Sequence, residues 1–472
     1  MNALLRHLVT HLKRSRVGVA CCVLAWVLAL GLCPVPAAAE VRMADEVCGV
    51  AAFDRGLAET DLPDISAPSA IVVTPDGRTW YERDANAPRK IASLTKIMTA
   101  IVALEHAESD TIITVDQAAA TVGESSAGLR EGDTLTLEDA LKALLIPSGN
   151  DAAMAIATSV GALIDPASPD PYATFVAAMN NKATELGCQD TLFENPHGLD
   201  FDAWTGNLHS TARDVATMAV YAMQNDLFRT TATLGACDIP VTSADGSERT
   251  VHLRETNALL GSEGNLGIKT GTTYEAGLCF AGAFDDATDG EVITVVLGCT
   301  EGAPDAPDPR FTDTLTLLHW WREHQVEAPA VRSEQVTMDG TPIAARVSHA
   351  GWTDKTVDVV AEDPQQVLRY CDLAEPVELS FDLPACHGDV EPGEVLGSLT
   401  YTQDATTLGT VKLVAAERVE VPDPFTWLLV QLDRLVRLFT GEPSTAPTQE
   451  LAEAPATHGA VGAATGADAT TV

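Results

Sequence analysis

The chain contains 472 residues, and its 67 Asp and Glu residues against 29 Lys and Arg residues give a formal net charge of −38. This length predicts two or three domains, and the hydrophobic content of 46% is sufficient for a large buried core. The composition argues against a low-complexity chain, a collagen and a polytopic membrane protein. The acidity argues against nucleic acid as a partner, because phosphate binding needs a basic face.

Residues 1–39 have the pattern of a secretory signal. Four basic residues precede an apolar stretch from Val17 to Leu32, and the small run Ala37-Ala38-Ala39 follows. An uncleaved membrane anchor is the alternative, but the apolar stretch is short for a membrane span. We therefore predict an exported protein, located at the extracytoplasmic face of the cell membrane, in the cell wall or in the periplasm.

Seven cysteines follow this segment, an odd number that cannot all pair within one chain: Cys48, Cys188, Cys237, Cys279, Cys299, Cys371 and Cys386. Cys371 and Cys386 could form a bridge within the C-terminal part, whereas Cys279 and Cys299 lie in apolar runs and are expected to be buried small hydrophobic residues. No cysteine spacing indicates a metal site. We predict no catalytic thiol, no metal and no cofactor.

Residues 45–325 have a mixed pattern that predicts one large domain. It opens with two strands around the turn Pro75-Asp76-Gly77 and continues with several amphipathic helices. Strands return at Leu278–Phe284 and Val292–Gly298, before a last helix over Phe311–His324. Strands at both ends with helices between them predict an α+β fold, in which the terminal strands share one antiparallel sheet flanked by helices.

The C-terminal part divides into three predicted segments. Residues 331–421 contain short runs rich in Val, Thr and Leu between turn residues, which predicts a small all-β domain. Residues 424–440 form an amphipathic helix, with Asp423 as its N-cap and Pro424 at its first position. Residues 441–472 are rich in Ala, Thr, Gly and Pro and are expected to be disordered.

Two interpretations of the 424–440 helix remain open. It could lie in a membrane interface, which Trp427 near one end favours, or it could pack against the β domain. Its charged residues argue against a membrane-spanning helix. We favour association with the membrane surface.

Three short motifs each occur once, and their combination indicates a catalytic site. They are Ser93-Leu94-Thr95-Lys96 at a helix start, Ser148-Gly149-Asn150 between two helices, and Lys269-Thr270-Gly271 before an apolar strand. A serine hydroxyl needs a neighbouring proton acceptor to become a nucleophile, and positions i and i+3 of a helix lie on one face. A lysine acts as that base only when burial or a nearby positive charge lowers its pKa.

The motifs resemble those of the penicillin-binding and serine β-lactamase superfamily, namely S-x-x-K, S-x-N and K-T-G. The similarity is greatest to the low-molecular-weight D-alanyl-D-alanine carboxypeptidases, and it extends over about residues 45–325. Further strings support it, including Asn195-Pro196-His197-Gly198-Leu199-Asp200 and the sequence from Gly267 to Gly277. The β domain and the amphipathic helix also resemble the C-terminal arrangement of that family.

The resemblance implies a specific reaction and a role for each residue. Ser93 would attack the carbonyl between the two terminal D-alanines of a peptidoglycan stem pentapeptide, with Lys96 as general base and Ser148 as proton relay. Penicillins would acylate the same serine. Asn150 would bind the substrate amide, and Lys269 and Thr270 would bind its carboxylate. Gly271 would also line the substrate site. The N–H of Thr272 would join that of Ser93 in the oxyanion hole.

Other functions on the same scaffold remain possible at this stage. A β-lactamase would need a carboxylate for rapid deacylation, and Glu194 could supply one, although the string around it is typical of the carboxypeptidases. A D,D-endopeptidase would use the same catalytic residues. A non-catalytic penicillin-binding protein of the cell wall is the third possibility, and the presence of every motif side chain argues against it.

Overall fold

The computed structural model describes residues 44–286, 290–303 and 306–455. The predicted signal segment, residues 1–39, lies outside them. Within the described residues the helices are α1 Thr95–His106, α2 Gln117–Ala120, α3 Leu137–Leu145, α4 Asn150–Ile164, α5 Pro171–Glu185, α6 Ala212–Met223, α7 Asp226–Ala232, α8 Pro309–His324 and α9 Pro424–Thr440.

The strands of the first domain are β1 Asp45–Val47, β2 Val50–Ala51, β3 Ser69–Val73, β4 Thr79–Arg83, β5 Ile112–Thr114, β6 Thr134–Thr136, β7 Cys237–Thr242, β8 Glu248–Leu253, β9 Asn265–Thr273, β10 Gly277–Asp286 and β11 Gly290–Cys299. Those that follow are β12 Gln325–Pro329, β13 Ala345–Ser348, β14 Thr356–Ala361, β15 Val367–Cys371, β16 Glu378–Asp382, β17 Val395–Gln403, β18 Thr406–Ala415 and β19 Gln449–Glu450.

A seven-stranded antiparallel sheet forms the centre of the first domain, in the order β2-β1-β4-β3-β11-β10-β9. Strand β3 pairs with β11, with Ile71 opposite Val295, so strands from the two ends of the domain meet in the middle of the sheet. The predicted α+β fold with a shared antiparallel sheet is confirmed. The arrangement leaves β9 at one edge of the sheet.

Helices cover both faces of this sheet. Helix α1 is buried from Thr95 to Ala103 among α4, α5 and α6, in the largest apolar cluster of the described residues. Helix α8 covers the other face, where Trp321 meets Trp80 edge to face at 6.1 Å between ring centroids. Side chains that accept hydrogen bonds from first-turn N–H groups set the starts of several helices: Thr136, Asp170, Thr211, Asn225, Asp308 and Asp423.

A small sheet in the order β5-β6-β7-β8 lies beside these helices and was not predicted. Strands β5 and β6 have only three residues each, too few for a period of two to stand out.

The predicted all-β domain follows, with its own apolar core. A six-stranded sheet runs in the order β16-β17-β18-β14-β13-β19, and β12 pairs with β15. The prediction that the chain is disordered from residue 441 is wrong for residues up to 455. Glu450 lies opposite Ala345 in the β13–β19 pair, because backbone pairing at a sheet edge can order a segment that has few large apolar side chains. Residues 456–472 lie outside the described residues.

Helix α9 begins and ends where the sequence predicted, and the Asp423 carboxylate accepts hydrogen bonds from the N–H groups of Phe425 and Thr426. None of the helices in the described part of the chain is long and apolar enough to cross a bilayer.

The disulfide between Cys371 and Cys386 that the sequence allowed is not formed. The Cys386 thiol donates to the carbonyl of Ser348 at 3.3 Å, whereas the Cys371 thiol contacts that of Cys48. The cysteines in the described residues are free thiols, and Cys279 and Cys299 are fully buried, as expected for small hydrophobic residues.

Candidate active site

Ser93 lies in a tight turn at the entrance to α1. A 3-10 helix over Ala92–Leu94 leads directly into α1, and Ala92 has a positive φ of 47°. Left-handed backbone is unfavourable for a residue with a Cβ, so the surrounding structure must hold this turn in place. Ile91, Ala92 and Leu94 are buried, while Ser93 between them stays partly accessible.

Lys96 makes three short polar contacts inside the protein. Its ammonium nitrogen lies 2.8 Å from the Ser93 hydroxyl, 2.7 Å from the amide oxygen of Asn150 and 2.9 Å from the backbone carbonyl oxygen of His197. The two carbonyl-type oxygens can only accept hydrogen bonds. A neutral Lys96 amine therefore donates its two hydrogens to them and turns its lone pair toward Ser93. This geometry suits a base that removes the serine proton.

The environment favours the neutral form of Lys96. Burial lowers the pKa of this fully buried side chain well below its ordinary value, and the nearby charge of Lys269 lowers it further, against an opposing effect of Asp151. Lys269 is also buried, and burial, together with the charge of Arg310, lowers its pKa to about 7. For Lys96, the lowered pKa is in the direction that base catalysis requires.

The second motif forms the connection between α3 and α4. Asn150 is the first residue of α4, and its side-chain NH₂ donates to the carbonyl of Gly123 at 3.0 Å while its oxygen accepts from Lys96. Ser148, two residues earlier, has a φ of 63° and a buried hydroxyl for which the described residues offer no hydrogen-bond partner. Asn150 thus orients Lys96, and Ser148 keeps an unused donor and acceptor.

The third motif lies on β9 at the edge of the large sheet. A Cβ on Gly271 would lie 2.9 Å from the carbonyl oxygen of Ile91 and 3.2 Å from the backbone nitrogen of Ser93, so only glycine permits this approach. Lys269 donates to the carbonyl of Thr270 at 2.9 Å, and the Thr270 hydroxyl lies 2.7 Å from that of Thr256. The outer side of β9 offers backbone groups for an extended peptide.

Arg310 belongs to the same site, although no sequence motif indicated it. It lies in the first turn of α8, and one guanidinium nitrogen donates to the carbonyl of Gly271 at 3.2 Å and to the hydroxyl of Thr272 at 2.9 Å. The Asp308 carboxylate accepts from the Arg310 Nε at 2.9 Å and fixes the side chain. Nothing in the sequence distinguishes Arg310 from the other arginines. Only its position beside β9 in the fold identifies it as a site residue.

The segment from Asn195 to Asp200 supports the Ser93 turn from behind. The amide of Asn195 bonds to the N–H of Gly198 and to the carbonyl of Leu199, at 2.7 and 2.9 Å. His197 is buried against Trp204, and burial lowers the pKa of its imidazole well below the ordinary value. This segment therefore holds a neutral histidine whose backbone carbonyl serves Lys96.

Glu194, considered above as a deacylating carboxylate, is engaged elsewhere. One of its oxygens accepts from the backbone N–H of Leu208 at 2.8 Å. It thus braces the 206–208 loop. No group of three or more His, Cys, Asp or Glu side chains suited to a metal ion occurs within residues 44–286, 290–303 and 306–455.

Comparison with known proteins identifies related sequences. A family model described as Peptidase_S11, D-alanyl-D-alanine carboxypeptidase, matches residues 57–301. The chain is 26% identical to the carboxypeptidase DacF of Bacillus subtilis over 376 residues, which cover 77% of this chain and 88% of that protein. It is 35% identical to a D-alanyl-D-alanine carboxypeptidase of Streptomyces sp. over 234 residues, which cover 48% of this chain and 77% of that protein.

A solved structure supports the same relationship. The DD-transpeptidase of Streptomyces K15 matches with a TM-score of 0.50 and 31% identity, and the match covers 55% of this chain and 98% of that one.

Proposed function

The chain belongs to the peptidase S11 family of D-alanyl-D-alanine carboxypeptidases, and we propose that it carries out the reaction of that family with Ser93 as the nucleophile. It is a serine-type carboxypeptidase that removes the terminal D-alanine from peptidoglycan stem pentapeptides through an acyl-enzyme, and penicillins inhibit it. The observation that supports Ser93 most directly is the 2.8 Å contact of its hydroxyl with the buried amine of Lys96.

In the proposed acylation step, the Ser93 oxygen attacks the carbonyl between the two D-alanines and its proton moves to Lys96. The developing oxyanion accepts hydrogen bonds from the backbone N–H groups of Ser93 and Thr272. The close approach of Gly271 to the Ser93 backbone supports this arrangement, because it brings β9 beside the nucleophile.

The leaving D-alanine needs a proton on its amine and a partner for its carboxylate. We assign the proton relay to Ser148, whose buried hydroxyl has no partner among the described residues. The carboxylate binds to protonated Lys269 and to Thr270, and Arg310 adds a second positive charge at the same end of β9. The side-chain oxygen of Asn150 already accepts from Lys96, and its NH₂ group already donates to Gly123. A contact of Asn150 with the substrate amide therefore has to share these groups.

A stem pentapeptide and a fluorescent penicillin test the nucleophile. We expect Ser93→Ala to abolish both the release of D-alanine, measured by mass spectrometry, and covalent labelling by the penicillin. Ser159→Ala is the matched control, because this hydroxyl binds Thr114 rather than the catalytic groups. Persistent labelling of Ser93→Ala would refute the assignment.

An endopeptidase activity is a second candidate. The chain is 30% identical over 303 residues to a D-alanyl-D-alanine endopeptidase of Pseudomonas aeruginosa, and the match covers 88% of that protein. Incubation with a cross-linked stem-peptide dimer measures this activity beside the pentapeptide reaction. Cleavage of the dimer at a rate similar to that of the pentapeptide would establish both activities.

We propose that the protein is exported and that α9 binds a membrane surface. The substrate class lies outside the cytoplasm, and residues 1–39 have the sequence pattern of a signal. In α9 the polar side faces the protein, since Arg434 donates to the carbonyl of Ala350. The opposite side is exposed and apolar: Phe425, Trp427, Leu428, Leu429, Leu432, Leu435, Val436, Leu438 and Phe439.

Such a face fits the interfacial region of a bilayer, where apolar side chains leave water while the helix lies flat. We expect the double substitution Leu432→Asp and Leu435→Asp to reduce co-sedimentation with phospholipid vesicles at least 10-fold. Met338→Asp is the control, because it changes an even more exposed apolar residue that lies in the β domain and outside α9. Undiminished vesicle binding by the double variant contradicts the membrane proposal.

A further inference from the structure

Two cysteine side chains from different domains meet at the domain boundary. Cys48 lies in the turn between β1 and β2, and Cys371 is the last residue of β15. The Cys48 side chain packs against the buried apolar cluster that contains Cys371, and each thiol shifts the pKa of the other, which places the two thiols within interaction range. Cys371 is fully buried, whereas Cys48 is only half-buried, so a soluble reagent reaches the pair from the side of Cys48.

The backbone at Cys48 is unusual for this residue type. Val47 pairs with Val50, so Cys48 and Gly49 form a two-residue hairpin turn, with φ of 49° and 75°. Turns with two positive φ values strongly favour Asn, Asp or Gly at the first position, because a Cβ crowds the backbone there. The conformation of the turn therefore does not explain a cysteine at position 48. The cysteine does place a thiol near Cys371.

The two backbones that carry these thiols are fixed relative to each other. The Gln403 side chain accepts from the N–H of Cys371 at 3.2 Å and donates to its carbonyl at 2.8 Å. Arg78, next to β4, donates to the same Gln403 oxygen and to the carbonyl of Arg369, each at 2.9 Å. A buried ion pair of 2.5 Å between Arg55 and Asp404 joins the domains beside them.

We propose that Cys48 and Cys371 form a disulfide that covalently links the peptidase domain to the β domain. The proposal rests on the proposed export only for its oxidant, which we take to be a small or protein disulfide of an oxidising compartment. Once formed, the bond holds the β domain and α9 at a fixed position relative to the Ser93 site.

The reaction proceeds by two thiol–disulfide exchanges. The Cys48 thiolate attacks one sulfur of the oxidant, which forms a mixed disulfide and releases one thiolate of the oxidant. Cys371 then loses its proton and attacks the Cys48 sulfur, which forms the Cys48–Cys371 bond and releases the second thiolate. The two cysteine protons end on the two released thiols, so the protein dithiol is oxidised and the oxidant is reduced.

The electrostatics assign the attacking position to Cys48. The hydrogen bond from the Cys371 thiol lowers the pKa of Cys48, against the effect of burial, and the positive charges of Arg78 and Arg55 lower it further. The same hydrogen bond and burial raise the pKa of Cys371. Cys48 is thus the thiolate that meets the oxidant first, and Cys371 is the resolving thiol.

Peptide mapping of the full chain tests the link without depending on export. The purified protein is equilibrated with oxidised and reduced glutathione, denatured, treated with N-ethylmaleimide, digested and analysed by mass spectrometry. We expect a linked pair of peptides that contain Cys48 and Cys371 in the majority of molecules, while Cys386 is alkylated. We also expect dithiothreitol to lower the Tm of the wild type by several degrees and to leave that of Cys48→Ala unchanged.

Two controls make the result decisive. Cys386→Ser must keep the linked peptides, because its thiol binds Ser348 instead. Penicillin labelling of Ser93 reports that each sample is folded. Alkylation of both Cys48 and Cys371 in oxidised protein that still labels overturns the disulfide, whereas a linked protein that fails to label contradicts the proposed catalytic function and not the disulfide.

Discussion

The backbone of Gly198 lies directly against the carbonyl group of Ala92. A Cβ on Gly198 would be only 1.8 Å from the Ala92 oxygen, and its φ of 89° is in the region that favours glycine. The two segments are far apart in the sequence, yet this contact supports the turn that presents Ser93. The geometry of the nucleophile therefore depends on a glycine that takes no part in the chemistry.

We expect Gly198→Ala to impair both stability and catalysis. The added methyl group must displace the Ser93 turn, so kcat/KM for the pentapeptide should fall at least 10-fold and the free energy of unfolding by about 2–4 kcal/mol. Gly187→Ala is the matched control, since Gly187 has a φ of 81° but open space around its Cβ position. It should lose about 1 kcal/mol and keep its activity. Equal activity of the two variants would contradict the supporting role of Gly198.

The two buried lysines predict a bell-shaped pH dependence of kcat/KM. Lys96 must be neutral to accept the serine proton, so activity falls on the acid side as pH drops through its lowered pKa. Lys269 must be protonated to bind the carboxylate, and its pKa of about 7 places the alkaline decline near that pH.

Lys269→Arg distinguishes the two limbs, because an arginine keeps its charge throughout this range. We expect its alkaline limb to move upward by more than one pH unit, with a lower maximum because the guanidinium has a different shape. The acid limb, which belongs to Lys96, should stay where it lies in the wild type, because arginine keeps the neighbouring positive charge. An alkaline limb that remains near pH 7 in Lys269→Arg would show that another group controls it.

Much of this architecture is predictable from short-range sequence patterns. The 3.6-residue periodicity and the Asp423-Pro424 start give the bounds of α9, and long apolar runs mark β10 and β11. Each of the three motifs is also a short run of neighbouring residues. Ser93 and Lys96, for example, lie on one helical turn. The roles of the site residues stay predictions, and the 2.7 Å contact between Lys96 and Asn150 supports them.

Other features depend on contacts between distant segments and have no local signal. Arg310 reaches Thr272 only because the fold brings the first turn of α8 within side-chain reach of β9. Cys48 approaches Cys371 only through the domain interface. Gln449 and Glu450 pair with β13, which the composition of the C-terminal segment does not reveal. The sequence predicted that Asn150 binds the substrate amide. Its contacts with Lys96 and Gly123 depend on the tertiary fold and were not predictable.

Ser148 offers a test that separates catalysis from stability. Its buried hydroxyl has no partner in the described part of the chain, and alanine tolerates the φ of 63° no worse than serine. Ser148→Ala should therefore change the free energy of unfolding by less than about 0.5 kcal/mol. Loss of the proton relay should nevertheless slow acylation by about 100- to 10,000-fold, as measured by stopped-flow with a chromogenic penicillin.

Ser159→Ala should have the opposite effect. The Ser159 hydroxyl accepts from the N–H of Thr114 at 3.1 Å, so its removal should cost about 1 kcal/mol and leave acylation unchanged. A Ser148→Ala variant that acylates at the wild-type rate would exclude Ser148 from the proton transfer.

Arg310 is expected to act on the substrate carboxylate and on Lys269 at once. Arg310→Gln removes a charge-assisted contact, so kcat/KM for a peptide with a free terminal carboxylate should fall about 10- to 100-fold. A peptide with a C-terminal amide should lose much less. Because the Arg310 charge helps to lower the pKa of Lys269, the alkaline limb of the pH profile should also move upward. Arg346→Gln is the control, since it removes an arginine paired with Asp358 in the β domain. A merely structural role for Arg310 would lower the rates with both peptides equally and leave the alkaline limb in place.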